Sequence, residues 1–222
     1  MGYLMGAIKL IYLHGFNSSP DSSKARVLRD YMDEKSARVM DNTGPARISQ
    51  KKTILNKTGR EFLLEIPAIP PAPAEAIEVL TRCVEAARKD YTVALAGSSL
   101  GGFYATWLAE KYGSRAVLIN PAVSPHDLLK KYLGENVNYY TSERWMLDES
   151  HIEQLRKLDI KPITQPERYL LMLQTGDEKL DYRLAVAKYG GCPSIIEEGG
   201  NHSFVAFEDH IDRILDFCAA SE

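Results

Sequence analysis

Cysteine is scarce in this chain. Cys83, Cys192 and Cys218 are the only three in 222 residues, far apart and without a CxxC pair. An odd, scattered set excludes a disulfide framework and is the usage of reduced thiols in a cytoplasmic protein. Long hydrophobic runs are missing as well: nothing approaches the ~18 apolar residues of a membrane span. Lys9 interrupts the one apolar run near the start, and no basic region precedes it, so neither a signal peptide nor stable membrane insertion is expected. Gly6 stands where a myristoylation signal needs Ser or Thr. The net charge is only −3, giving no global field to draw nucleic acid. Five histidines and three cysteines fall at no metal-ligand spacing, and neither GxxxxGKS/T nor GxGxxG occurs to cradle a phosphate. No metal and no cofactor are expected.

What the chain does have is an alternation of short apolar runs with helical patterns. Strands are expected at 7–13, 62–66, 92–96, 115–119, 168–173 and 194–198. Helices are expected at 22–35, 74–89, from 102 to 112, at 181–189 and at 204–218. Repeated β-α-β order at this length predicts one α/β domain, a mostly parallel sheet with helices on both faces.

Between the third strand and the helix after it lies Gly97-Ser98-Ser99-Leu100-Gly101. Gly-x-Ser-x-Gly at a strand-to-helix turn is a nucleophile elbow, too sharp to admit a Cβ two residues either side of the serine. That selects Ser99, flanked by Gly97 and Gly101, over Ser98, flanked by Ala96 and Leu100. A serine hydroxyl needs a base, and the base needs an orienting group. Asp177 follows directly on the strand at 168–173, on the ligand-binding edge of a parallel sheet; Glu178 is its neighbour, and Asp181 is the cap of the next helix. His202 follows the last strand on a Gly-rich loop opening at the same edge. His126, His151 and His210 stand in helical or polar contexts that suit structural roles. Two backbone N–H groups complete an oxyanion hole: that of Leu100, and that of Phe16 in the loop after the first strand, where Gly15 permits close approach and His14 braces the loop.

Two segments break the rhythm. Residues 35–60 carry seven Lys/Arg against one acid, Asp41. Their second half reads as a hairpin, 48–55 against 60–66 across Asn56-Lys57-Thr58-Gly59; it is either a solvated excursion at the sheet edge or a docking patch for an anionic partner. Residues 120–167 hold short helical pieces and many aromatics. They form either a cap over the site, with Tyr140 and Trp145 lining a substrate pocket, or two further helices of core.

The segments YLHGFNSSP, GSSLGG followed by FYATW, NPAV, QTGDE with LDYR, and EEGGNHSF resemble the small YqiA-type bacterial esterases of the α/β-hydrolase superfamily, in the same order along nearly the whole chain. The resemblance implies a three-layer sandwich with six core strands in the order 2-1-3-4-5-6 and a cap inserted after the fourth. It also implies a triad of Ser99, Asp177 and His202, with Phe16 and Leu100 as oxyanion donors. The basic stretch before Phe62 is longer than that pattern. The implied activity is hydrolysis of a small-molecule carboxylic ester or thioester through an acyl-serine intermediate. The same triad also serves C–C hydrolysis or acyl transfer, and a binding protein on this fold is the third reading.

Overall fold

The computed structural model describes residues 6–43 and 53–220. In β1 (Ile8–Leu13) the side chains alternate between two interiors. Ile8, Leu10 and Tyr12 enter one core, while Ile11 and Leu13 enter the other. The sheet is therefore covered on both faces. Against Tyr12 lie α1 (Ser23–Thr43) and, at the end of the chain, α7 (Ile211–Ala219). Against Leu13 lie α2 (Pro73–Ala87), α3 (Leu100–Tyr112) and α6 (Tyr182–Tyr189). Both cores are closed by aliphatic and aromatic side chains that each remove apolar area from water at ~25 cal/mol per Å².

Six parallel strands run in the order β3 (Glu61–Glu65), β1, β4 (Thr92–Ser98), β5 (Arg115–Ile119), β8 (Tyr169–Gln174), β9 (Ser194–Glu197). This is the expected order. A seventh strand, β2 (Thr53–Leu55), pairs antiparallel with β3 and forms the outer edge. The hairpin is thus present from residue 53 onward, with Ile54 buried and Ser36 of α1 donating to the Thr53 carbonyl at 2.7 Å. Its turn is organised by Asn56, whose Oδ1 accepts from the N–H groups of Thr58 and Arg60. The remainder of the expected first arm, 48–52, lies outside the described residues.

Three boundaries differ from expectation. Helix α1 runs on to Thr43 rather than stopping near 35. The final helix begins at Ile211 after a 3-10 turn, Phe207–His210, not at 204, because Phe204 (φ 59°) and Ala206 (φ 57°) occupy the left-handed region that no helix can contain. The segment 120–167 is not purely helical. A single turn, α4 (Pro125–Leu128), is followed by an antiparallel ribbon, β6 (Gly134–Val137) with β7 (Arg144–Leu147), and then α5 (Glu149–Lys157). Four-residue strands with mixed polarity leave too short an alternation to read, and the bend between them is fixed by one side chain: Asn138 Oδ1 accepts from the N–H groups of Tyr140 and Thr141. No helix among the described residues is long and apolar enough to cross a membrane.

Candidate active site

Ser99 stands between β4 and α3 with φ 56° and ψ −121°, a backbone state that an L-residue holds only when its surroundings force it. The forcing is visible on both sides. Its N–H donates to Ile119 O at 3.1 Å, and its carbonyl accepts from Ala122 N–H at 3.0 Å, pinning it to the end of β5. The two glycines leave no alternative. A Cβ on Gly97 would lie 2.3 Å from Gly101 O, and one on Gly101 would lie 2.0 Å from Leu13 O. Gly101→Ala is therefore expected to lower stability by more than the ~1–3 kcal/mol of ordinary overpacking, because the obstacle is backbone of β1; urea denaturation measures it. Ser98 is buried and points into the Tyr12 side of the sheet, whereas Ser99 is partly exposed.

Asp177 and His202 meet on the loops after β8 and β9. His202 Nδ1 lies 2.8 Å from Asp177 Oδ2. The carboxylate accepts there, so Nδ1 carries the proton and Nε2 keeps its lone pair. Asp177 Oδ1 accepts from the N–H groups of Lys179 and Leu180 at 2.8 and 2.9 Å. Burial works to raise its pKa, but the hydrogen bonds from His202 and these two amides outweigh it and hold the carboxyl below its ordinary value. Glu178, the competing carboxylate in sequence, instead accepts the His202 backbone N–H at 2.9 Å. Asp181 caps α6 through the Arg183 N–H.

Two buried amides that sequence reasoning left without a role hold this loop pair. Asn120 Nδ2 donates to the carbonyls of Asn201 and His202, and its Oδ1 accepts the Gln174 N–H at 3.0 Å. Gln174 Oε1 accepts from Asn201 and Val205, while its Nε2 donates to Glu197 and to Val205 O. The available signal was position: a polar residue directly past, or last in, a strand whose preceding four residues are all apolar.

Phe16 lies on the loop after β1. A Cβ on Gly15 would approach Ser99 Cβ to 3.3 Å, so the loop passes close over the serine. His14 fixes it: Nε2 accepts the Ile69 N–H and Nδ1 donates to Gly15 O. Burial lowers the His14 pKa, in keeping with a neutral ring. As the first residue of α3, Leu100 has no acceptor for its N–H within the helix.

The ribbon β6–β7 is latched to the same loop through buried Asn17, which donates to Asn136 Oδ1 and accepts the Trp145 indole N–H at 2.8 Å. Trp145 stacks edge-on against Phe16 and His151. It faces a separate cleft with His14, Asn17 and Pro70 rather than the space beside Ser99. That space comprises two cavities sharing Phe16, Ser99, Tyr139, Lys179 and His202. The first, of about 100 Å³, continues along Ala122, Pro125, Leu128, Leu129, Lys131, Tyr132 and Leu180. Tyr140 borders the second, of about 150 Å³, on the α1 side. Among the described residues no cluster of three His, Cys, Asp or Glu could hold a metal ion.

The chain is similar to known proteins over nearly its full length. The sequence model of the uncharacterised protein family UPF0227 matches residues 9–54 and 42–219. A putative hydrolase from Agrobacterium vitis S4 superposes with a TM-score of 0.64 at 18% identity, covering 96% of this chain and 88% of its own. Est1E from Butyrivibrio proteoclasticus gives 0.62 at 13% identity, with 97% and 90% covered. The esterase domain of a Rhodothermus marinus protein gives 0.58 at 14%, with 96% and 86% covered. At these identities the likeness is one of fold, that of the α/β hydrolases.

Proposed function

We propose that this chain, which belongs to the UPF0227 family, is a serine hydrolase cleaving a small-molecule carboxylic ester or thioester. The observation carrying the proposal is the conjunction at the sheet edge. A serine forced into a strained strand-to-helix turn opens onto the same two cavities as a histidine whose far nitrogen is held by a buried carboxylate.

In this reading Ser99 Oγ attacks the acyl carbonyl while His202 Nε2 takes its proton. The oxyanion is met by the N–H groups of Phe16 and Leu100. Collapse expels the alkoxide or thiolate, which takes from His202 the proton that came from Ser99. Water, deprotonated by the same nitrogen, then releases the acid and restores Ser99. Asp177 neither gains nor loses a proton. Its lowered pKa keeps it ionised throughout the range in which an imidazole titrates, so it stabilises the imidazolium and fixes the tautomer.

The first cavity suits the acyl limb, being bordered by Leu128, Leu129 and Leu180. At about 100 Å³ it is smaller than the ~150 Å³ that holds a benzene ring in an engineered cavity, so short acyl chains are expected. Its wall assigns chain-length choice to Leu128 and Tyr132 rather than to Trp145 or Tyr140. With 4-nitrophenyl esters from acetyl to dodecanoyl, kcat/KM should peak at the short end. Leu128→Ala should move the peak toward longer chains, by ~1–3 kcal/mol in relative kcat/KM. Absence of hydrolysis across the series and its thioester counterparts would refute the proposal.

A further inference from the structure

We infer that the second cavity beside Ser99 is an anion subsite, so that the substrate is an ester with one apolar limb and one limb ending in a carboxylate or phosphate. This rests on the hydrolase reading above and extends it to the substrate's class. The cavity is built around Lys24, only 9% exposed although it is a lysine. Among the described residues its ammonium donates one hydrogen bond, to Ser203 O at 2.9 Å, and keeps two donors. Burial of so hydrated a group is costly without a counter-charge, and among the described residues no carboxylate is in contact with it. Asp177 is the acid within electrostatic reach, yet its oxygens are taken by His202 and by the Lys179 and Leu180 amides.

Other groups around the cavity point the same way. No Asp or Glu is among the described residues lining it, and Lys179, exposed at the rim, is a second cation there. Ser23 and Lys24 begin a helix of 21 residues whose first N–H groups have no intrahelical acceptor. Ser22 stands where a serine would cap that helix, but its buried Oγ has no hydrogen-bond partner among the described residues; it feels the nearby Tyr12 hydroxyl without meeting it in bonding geometry. A buried ammonium, an unpartnered buried hydroxyl and open helix amides on one wall are the donors that bind a carboxylate or phosphate.

The two limbs of an ester bound at Ser99 leave the carbonyl in different directions, and two cavities border Ser99, sharing Phe16, Tyr139, Lys179 and His202 but otherwise lined by different residues. The first is walled by leucines, with exposed Lys131 and the shared, exposed Lys179 at its border; of the two, the second is the one that holds a buried cation, Lys24. Burial lowers the Lys24 pKa to about 8, partly offset by Asp177 and reinforced by Lys179; His202, Tyr12, Tyr139 and Tyr140 are the other titratable groups lining the cavity. Lys24 is charged below that value and neutral above it, so any preference for an anionic substrate should fade as pH rises through about 8.

The test compares propyl butyrate with two matched esters whose propyl end carries a carboxylate or a phosphate. Wild-type kcat/KM should favour one or both anionic esters over the neutral ester by roughly 10- to 100-fold, the scale of a hydrogen bond to a charged group. The carboxylate and phosphate arms show which anion fits. In Lys24→Met and Lys24→Gln the ratio should collapse toward unity, and in Ser22→Ala it should fall by a smaller factor; circular dichroism checks folding. Calorimetric binding of the same esters to Ser99→Ala gives a readout independent of turnover. If wild type hydrolyses none of them, yet Ser99→Ala binds the anionic esters more tightly and loses this with Lys24→Met, the subsite stands and the hydrolase reading fails. No anionic preference in either assay, or one unchanged in both Lys24 variants, overturns the subsite.

Discussion

Ser99→Ala should lower kcat on a short 4-nitrophenyl ester by roughly 10⁴- to 10⁶-fold, while Ser98→Ala changes it far less. The contrast follows from where the elbow puts the two hydroxyls. Ser99 is held on the crest of the turn by its bonds to Ile119 and Ala122, and opens onto both cavities. Ser98 is the last residue of β4 and is buried beside Tyr12, bordering only the second cavity. The residual rate of Ser99→Ala should come from the oxyanion donors and binding alone, and the protein should keep its fold, since alanine fits the same backbone. Steady-state kinetics on both variants checks this. Equal losses, or a larger loss from Ser98→Ala, would move the nucleophile.

Asp177→Asn should cost on the order of 10⁴ in kcat with little change in KM. An asparagine Oδ1 can still accept the Lys179 and Leu180 amides, so the loop should hold. Its Nδ2, however, donates toward His202 Nδ1 where the carboxylate accepts. The imidazole must then place its proton on Nε2, the atom that has to take one from Ser99. The split between kcat and KM distinguishes this from loosened packing, which would move both. Glu178→Gln is the control: Glu178 accepts the His202 backbone N–H and its own, and a neutral oxygen can still accept both, so its effect should stay within several-fold. Near-normal activity in Asp177→Asn would contradict the assigned orienting role.

The sheet was legible because each core strand is a short apolar run carrying its own alternation, and because the strand order follows from the resemblance. Helix ends were harder. Residues 204–210 have helical composition but contain two left-handed backbones that only tertiary packing explains. The ribbon β6–β7 was hidden for a different reason. Its strands are four residues long, and its position is set by Asn17, Asn136 and Asn138, whose bonds reach across more than a hundred residues of chain.

At the site, glycine sterics single out one serine, and chain order brings an acid and a histidine to one edge. The residues that hold those loops, Asn120 and Gln174, carry no chemical signature and could be recognised only once their partners were in view. Trp145 makes contacts that its sequence position does not announce. An aromatic in a cap invites a pocket role, but its indole is spent on Asn17 and its face on Phe16. The structure thereby makes it a brace for the loop that would carry an oxyanion donor.

In the mechanism above the His202–Asp177 pair activates one hydroxyl, and fluorophosphonate labelling followed by intact-mass and peptide mapping reads out which. A single adduct per chain is expected, on Ser99, absent from Ser99→Ala and slowed by orders of magnitude in His202→Ala. A folded wild-type protein that takes no label, or takes it on a residue other than Ser99, would contradict that mechanism.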